Sequence, residues 1–239
     1  FIGGFNIHDE SSEKHYGKNR WKDSHICFNG DLVRQLGVQF DLMWGGKIRQ
    51  LSTINSLDSL THIVPNATRT CRKHLRCEYL KVINQANQSI KVTTPYFVPD
   101  SKMLKALVQA AKSGISITLL IPKHNNHALL KYAAYWYYQK LISSGINIYE
   151  FTSRMLHTKN MLIDDEVAVI GSANMDYRSF FLNNEIMLFS KRPELVKYVN
   201  QDFADSLKHS SIVSLQEATT RSPVSLFSTF IAYLLRRWL

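Results

Sequence analysis

The chain has 239 residues, 45% of them hydrophobic and 20% charged, and a formal net charge of +10 at neutral pH. That balance excludes a disordered chain and is enough for one large or two ordinary domains with a sizeable core. The positive excess points to an anionic partner: a phospholipid head group, a nucleic acid or a phosphorylated small molecule. The basic residues are scattered rather than blocked, so charge alone does not choose among these. Cys27, Cys71 and Cys77 have no zinc-ligand spacing, and reduced thiols are expected. No apolar run reaches the roughly 18–20 residues that cross a bilayer. The chain opens at Phe1 inside an apolar stretch, so a piece of a longer protein is expected.

Taken in chain order, FIGGFNI reads as a strand, HDESSEKHYGKNR as a polar excursion and SHICF as a second strand. Leu32, Val33, Leu36, Phe40 and Met43 recur at mostly helical spacing and predict a helix over 31–44, stopped by Gly45 and Gly46. Residues 47–70 are polar and read as a connection. Beyond them the pattern alternates: helix 72–87, strand SIKVTT, turn PYFVPD, helix 101–112, strand ISITLLI, a helix through HALLKYAAYWYYQKLISS, and strand INIYEF. Gly114 and Gly145 follow helices where a left-handed cap is wanted. This is the signature of an α/β layer with a largely parallel sheet. LHTKNMLID, EVAVIGS and EIMLFS then predict three strands, and a helix over 193–207 closes the unit. Tyr132, Tyr135, Trp136, Tyr137 and Tyr138 spread around their helix, which suits core packing with a lipid-facing edge better than base stacking. The tail SLFSTFIAYLLRRWL is too short to span a membrane. It fits either an interfacial helix with Arg236, Arg237 and Trp238 at head-group level or a helix docked on the protein's own core.

The chemistry concentrates between 157 and 185. His157 and Lys159 are two apart, so on a strand they share a face. Burying two bases together is costly unless an anion shares the space. A phosphate does so, with lysine supplying charge and histidine a nucleophile or proton shuttle. Asp164 has the opposite parity to His157 and sits beside Asp165 at an expected turn, so it need not touch the imidazole. Gly171, Ser172 and Asn174 end the next strand with small groups that bring donors to a ligand. Glu185 opens another strand, and an acid there wants a partner; a histidine it could orient is the natural one.

These residues form the pattern HxKxxxxD followed by GSxN, which resembles the phospholipase D superfamily. Within it, TTPYFVPD (93–100), GSANMDYRSFFLNNE (171–185) and RWKDSHICFNG (20–30) look most like bacterial cardiolipin synthases. The resemblance implies an α/β phospholipase D-like fold, a mixed sheet flanked by helices in two pseudo-symmetric halves. It implies two-step phosphatidyl transfer through a phosphohistidine, without metal or other cofactor, making cardiolipin and glycerol from two phosphatidylglycerols. In these terms His157 is nucleophile or general acid/base, Lys159 neutralises phosphate charge, Ser172 and Asn174 bind phosphate oxygens, Glu185 orients His157 and Asp164 supports the motif. The implied partners are phospholipid and a membrane surface, at the cytoplasmic side of a bacterial inner membrane, with no nucleic acid expected.

An internal repeat supports the two-half organisation. Gly3-Gly4-Phe5-Asn6 matches Gly171-Ser172-Ala173-Asn174, and Asp23 precedes SHICF as Glu185 precedes IMLF. Asn6 is thereby a further candidate phosphate ligand. His157 lies 14 residues before Gly171, and the same offset from Gly3 falls upstream of Phe1. The expected organisation is therefore the remainder of a first half (1–60), a complete second half (61–212) and an amphipathic tail (213–239). In-line displacement needs one histidine to attack while another protonates the leaving oxygen, so this chain alone is expected to be weak or inactive without the other half. The rival readings are a nuclease or other phosphodiesterase of the superfamily, and a non-catalytic remnant that binds anionic lipid.

Overall fold

The computed structural model describes residues 1–67, 74–220, 229–232, 234 and 235. Cys71 and the tail residues Arg236, Arg237 and Trp238 lie outside them. The chain begins with β1 (Ile2–Gly3), and the polar excursion forms the single-turn helix α1 (Glu13–Tyr16) between two short 3-10 turns. After β2 (His25–Ile26) comes α2 (Asp31–Trp44), which ends at the Gly45-Gly46 pair as its sequence pattern predicts. Next are β3 (Ile54–Asn55), β4 (Thr61–Asn66), α3 (His74–Asn84), β5 (Ser89–Thr93), β6 (Phe97–Val98), α4 (Ser101–Lys112), β7 (Ser116–Pro122), α5 (Ala128–Ile142) and β8 (Asn147–Phe151). The last stretch holds β9 (Asn160–Ile163), β10 (Val167–Gly171), β11 (Met175–Asp176), α6 (Tyr177–Phe181), β12 (Glu185–Ser190), α7 (Pro193–Leu207), β13 (Ser210–Ile212) and α8 (Leu215–Thr219).

Nine of these strands form one sheet in the order β13-β8-β7-β5-β9-β10-β12-β4-β3. Only β5, β7 and β8 run parallel, because each is followed or preceded by a helical crossover; β9, β10 and β12 come from hairpin-like returns and are antiparallel. The sheet is therefore mixed. Parity sorts its two faces. Ile90, Val92, Ile117, Leu119, Ile121, Met161, Ile163 and Val169 point into the main core with α3, α4 and α5. Leu162 and Ala168 point the other way, onto Val199 of α7. On that second face Ile2 of β1 packs with Ile63, Ile170 and Leu188, which seats the small β1–β2 ribbon on the large sheet.

Two expectations change. Residues 47–70 are not a plain connection, since THIVPN is the strand β4, hydrogen-bonded along its whole length to β12. Ile63 and Val64 are both buried, one on each face, and that two-sided burial hides the alternation that marks a half-exposed strand. Pro65 is tolerated because β3 pairs only with Ile63 and His62, which leaves the Pro65 position at an open edge. The strands read over FIGGFNI and SHICF shrink to two residues each. In the described part of the tail, Thr229 and Ala232 are buried and Ala232 joins the main core, as a docked segment requires. Among the described residues no helix is long and apolar enough to cross a membrane.

Asp164 and Asp165 both take positive φ, 53° and 54°, in the tight turn between β9 and β10. There the Asp164 carboxylate accepts the backbone N–H groups of Asn87, Gln88 and Ser89 at 2.7, 2.8 and 2.8 Å. Partial burial pushes this carboxyl up, and the three N–H groups outweigh it and hold the group below the usual range. Asp164 thus pins the start of β5 to the end of β9, at the opposite end of the strand from His157. Asp164→Ala is expected to lower stability to urea by about 1–3 kcal/mol while leaving the chemical shifts of the His157 ring unchanged; loss of the His157 environment would contradict this purely structural role.

Candidate active site

The parallel strands β5 and β7 end at one edge of the sheet, and β9 begins there because it runs antiparallel to β5, with Thr93 opposite Asn160. Such carboxyl ends are where open α/β sheets leave a crevice. His157 and Lys159 lie in the extended segment just before β9, and Ser172 follows β10. Of the sequence-predicted residues, His157, Lys159, Ser172, Asn174 and Glu185 meet in this region, and Asp164 lies at the other end of β9. Asn6 is solvent-exposed on the loop after β1 and takes no part in the hydrogen bonds described below.

His157 is 7% exposed and Lys159 5%. They share a side as their spacing requires, with Lys159 Nζ 2.8 Å from His157 Nδ1 and also donating to the His157 carbonyl. The partner of the imidazole is not Glu185. Asp23 Oδ2 lies 2.6 Å from His157 Nδ1, and the Asp23 side chain is fully buried. Facing a carboxylate at that distance, Nδ1 must be the donor. The Lys159 contact is then a charge beside an N–H, and Nε2 keeps its lone pair.

Asp23 is held there by a small parallel pairing. The Lys22 N–H donates to the Met155 carbonyl at 2.8 Å, and the His157 N–H to the Lys22 carbonyl at 2.7 Å. Asp202 on α7 secures both neighbours, taking Lys22 Nζ at 2.6 Å and the Ser24 hydroxyl at 3.2 Å. Asn160 Nδ2 adds a bond to Ser24 Oγ at 3.2 Å, and the Trp21 ring covers His157 at 5.1 Å between centroids. A Cβ at Gly4 would collide with the Asp23 carboxylate, so glycine there is what lets β1 pass the acid.

Glu185 is part of a second network. Its Oε2 accepts from Ser172 Oγ at 2.5 Å, and its Oε1 from Ser179 Oγ at 3.1 Å and Asn183 Nδ2 at 3.2 Å. Gly171 allows this approach, because a Cβ would strike the Ile186 carbonyl and Met187. Asn174 gives its N–H to Ser179 Oγ at 3.0 Å, while its buried Oδ1 has no hydrogen-bond partner among the described residues. The segment TTPYFVPD docks alongside: β6 pairs with β11, and Thr94 Oγ1 accepts the Met175 N–H at 3.2 Å. Among the described residues no group of three or more His, Cys, Asp or Glu side chains is arranged to hold a metal ion.

Residues 79–207 match the family described as "Cardiolipin synthase, PLD-like domain". The chain belongs to that family. Cardiolipin synthase 2 of Staphylococcus epidermidis is 30% identical across 98% of this chain and 50% of its own length. The cardiolipin synthase of Halalkalibacterium halodurans is 32% identical across 93% of this chain and 46% of its own. The chain therefore spans about half the length of these curated relatives. The fold of this PLD-like domain is also that of two solved structures. One is Nuc of Salmonella typhimurium, a phospholipase D family member (TM-score 0.55, 21% identity, 64% of this chain and 97% of the other). The other is the phosphatidylserine synthase of Haemophilus influenzae (TM-score 0.62, 12% identity, 89% and 56%).

The electrostatics of the site in this PLD-like domain are dominated by burial. Burial lowers Lys159 to a pKa of about 8, against the opposing pull of Asp23, Glu185 and Asp176. Its ion pair with Asp23 is long, 4.0 Å. Burial also lowers His157, with Asp23 pulling it back up and Lys159 pushing it further down. Glu185 and Asp176 are raised, chiefly by burial. Asp23 is the residue that motif reading misplaces, although a signal for it exists in the repeat that sets Asp23 and Glu185 in equivalent positions.

A buried lysine with a depressed pKa costs stability, and the sign is fixed. Between about 8 and the ordinary lysine value near 10.4 the unfolded chain holds more protons than the folded one. Stability therefore rises with pH across that window, and below it the whole penalty is present. Lys159→Met is expected to stabilise the domain at pH 7 in phosphate-free buffer by about 1–3 kcal/mol. The same variant should lose the thermal stabilisation that added inorganic phosphate gives the parent; retention of that response would place the phosphate elsewhere.

Proposed function

We propose that this chain carries one of the two histidine–lysine sets of a cardiolipin synthase-type phosphatidyltransferase acting on phosphatidylglycerol at a membrane surface, on the cytoplasmic side of a bacterial inner membrane. The observation that carries the reading is the buried imidazole whose Nδ1 is committed to Asp23 while an under-neutralised ammonium stands beside it. That combination leaves Nε2 as nucleophile and Lys159 as counter-charge for a phosphodiester.

The chemistry then runs in two displacements. His157 Nε2 attacks phosphorus, forming a P–N bond as the P–O bond to glycerol breaks, and a second histidine gives its proton to the departing glycerol oxygen. A hydroxyl of another phosphatidylglycerol next attacks the same phosphorus. The P–N bond breaks, and the hydroxyl proton returns to the second histidine. The same residues serve if the two histidines exchange roles. Lys159, Ser172 and Asn174 are assigned to the phosphate oxygens, and Asp23 holds the imidazole tautomer.

The repeat supports a position for the second histidine. Asp23, from the first unit, serves the histidine of the second, so Glu185 in the equivalent position is assigned to the histidine of the first. Ser172, Ser179 and Asn183 fix the Glu185 carboxylate in readiness for it. Each imidazole is then oriented by an acid from the other half.

The test joins this chain to an upstream half bearing its own HxK set and supplies vesicles of labelled phosphatidylglycerol. Cardiolipin and glycerol should appear in equal amounts. His157→Ala should reduce both to background, and Asp23→Asn should lower the rate about 10²–10⁴-fold with little change in KM. Cleavage of a DNA phosphodiester without cardiolipin would establish the nuclease reading instead.

A further inference from the structure

The polar excursion between β1 and β2 is longer than its counterpart in the repeat, and the chemistry above leaves most of it unused. Residues 175–184 separate Asn174 from Glu185, whereas residues 7–22 separate Asn6 from Asp23. The additional length folds back on the site. The Trp21 N–H donates to the Glu10 carbonyl at 2.8 Å, and Arg154 donates through Nη1 to the Lys18 carbonyl at 2.9 Å.

Three rings are brought into contact by this fold-back. Trp21 lies 5.1 Å from His157 between centroids, and His8 lies 4.8 Å from Trp21 with its plane turned by 63°. His8 is gripped by its own turn, with Ser11 Oγ 3.3 Å from Nε2 and Glu10 Oε2 2.9 Å from Nδ1. The Glu10 contact lacks the alignment of a hydrogen bond, and the buried Nδ1 has no hydrogen-bond partner among the described residues. A histidine that only filled space would need no acid beside a buried nitrogen. A proton on the ring turns this contact into an ion pair. It also gives the indole a cation within the range where the ring quadrupole attracts one. Glu10 thus joins both neighbours, His8 through its carboxylate and Trp21 through its carbonyl.

We propose that His8 is a positioning residue for His157, holding Trp21 against the imidazole and doing so most firmly when it carries a proton. As a statement about catalysis this rests on the reading of His157 as nucleophile; the contacts themselves do not. Cover and charge act in the same direction. Burial is the main cause that keeps His157 below the usual histidine range, opposed by Asp23, and the charge of His8 is a further lowering cause. As pH falls, His8 therefore defers the proton that would block Nε2. The other charges around the two rings have fixed places. Asp23 and Lys159 face His157, Glu10 faces His8, Lys22 pairs with Asp202 and Arg20 with Glu13.

The 239-residue chain tests this by NMR, with the His8 and His157 rings and the Trp21 indole N–H followed from about pH 8 to 5 at low ionic strength. The Trp21 signal should move with the titration of each histidine. His8→Gln should remove the movement that follows His8 and raise the His157 midpoint, since cover and charge are both reduced. His8→Phe keeps an aromatic ring on the indole without the charge, so it should raise that midpoint by less. A Trp21 signal blind to the His8 titration in the unaltered chain overturns the proposal, and this readout stands even where a variant fails to fold. So does a parent midpoint for His157 in His8→Gln, or a full return to it in His8→Phe, which would leave His8 a packing role only. In the joined two-half protein, His8→Gln should move the acid limb of the kcat/KM profile to higher pH. An unmoved limb beside the expected NMR shifts would overturn the nucleophile reading of His157 and leave the contacts standing.

Discussion

The arrangement depends on one expensive act, the burial of an imidazole and an ammonium side by side at the end of a sheet. Neither can be there without compensation. Asp23 supplies it for the imidazole through a short hydrogen bond, and only at long range for the ammonium. Much of the surrounding structure can be traced to this need. The Lys22 and Ser24 bonds to Asp202 keep Asp23 in place, Gly4 clears room for its carboxylate, and Trp21 covers the ring. Lys159 is left with less compensation than the imidazole, its nearest carboxylate standing 4.0 Å away.

The strand–helix alternation from residue 74 onward was legible because most of its elements have one solvent-facing side, and periodicity shows best there. The ends of α2, α4 and α7 fall at the predicted residues, marked by Gly45, by the Asp100 cap and by Pro193. β4 was not legible, since its neighbours on both faces bury it and its proline reads as a breaker. The extended run holding His157 and Lys159 is not itself within β9, yet the spacing argument survives because an extended backbone keeps alternate side chains on one side.

At the site, the motif residues announce the chemistry, and their pairing is decided by tertiary structure. Glu185 lies close to Lys159 electrostatically and belongs to the same crevice, but the acid that meets the imidazole comes from 134 residues earlier. No local pattern encodes such a contact. The parity argument for Asp164 worked because it concerned one strand and one turn, a range over which geometry follows directly from sequence. Asn6, the counterpart of Asn174 in the repeat, is exposed on the loop that leaves Gly4 beside Asp23.

The distance in sequence between His157 and its acid has a consequence for how such a chain can change over time. A site whose acid and imidazole sat in one short segment could drift as that segment drifted. Here the acid that meets His157 stands 134 residues earlier, and its neighbours Lys22 and Ser24 are tied through Asp202 to α7. A mutation in either segment is therefore felt at the imidazole, and the two inherit their changes as a couple.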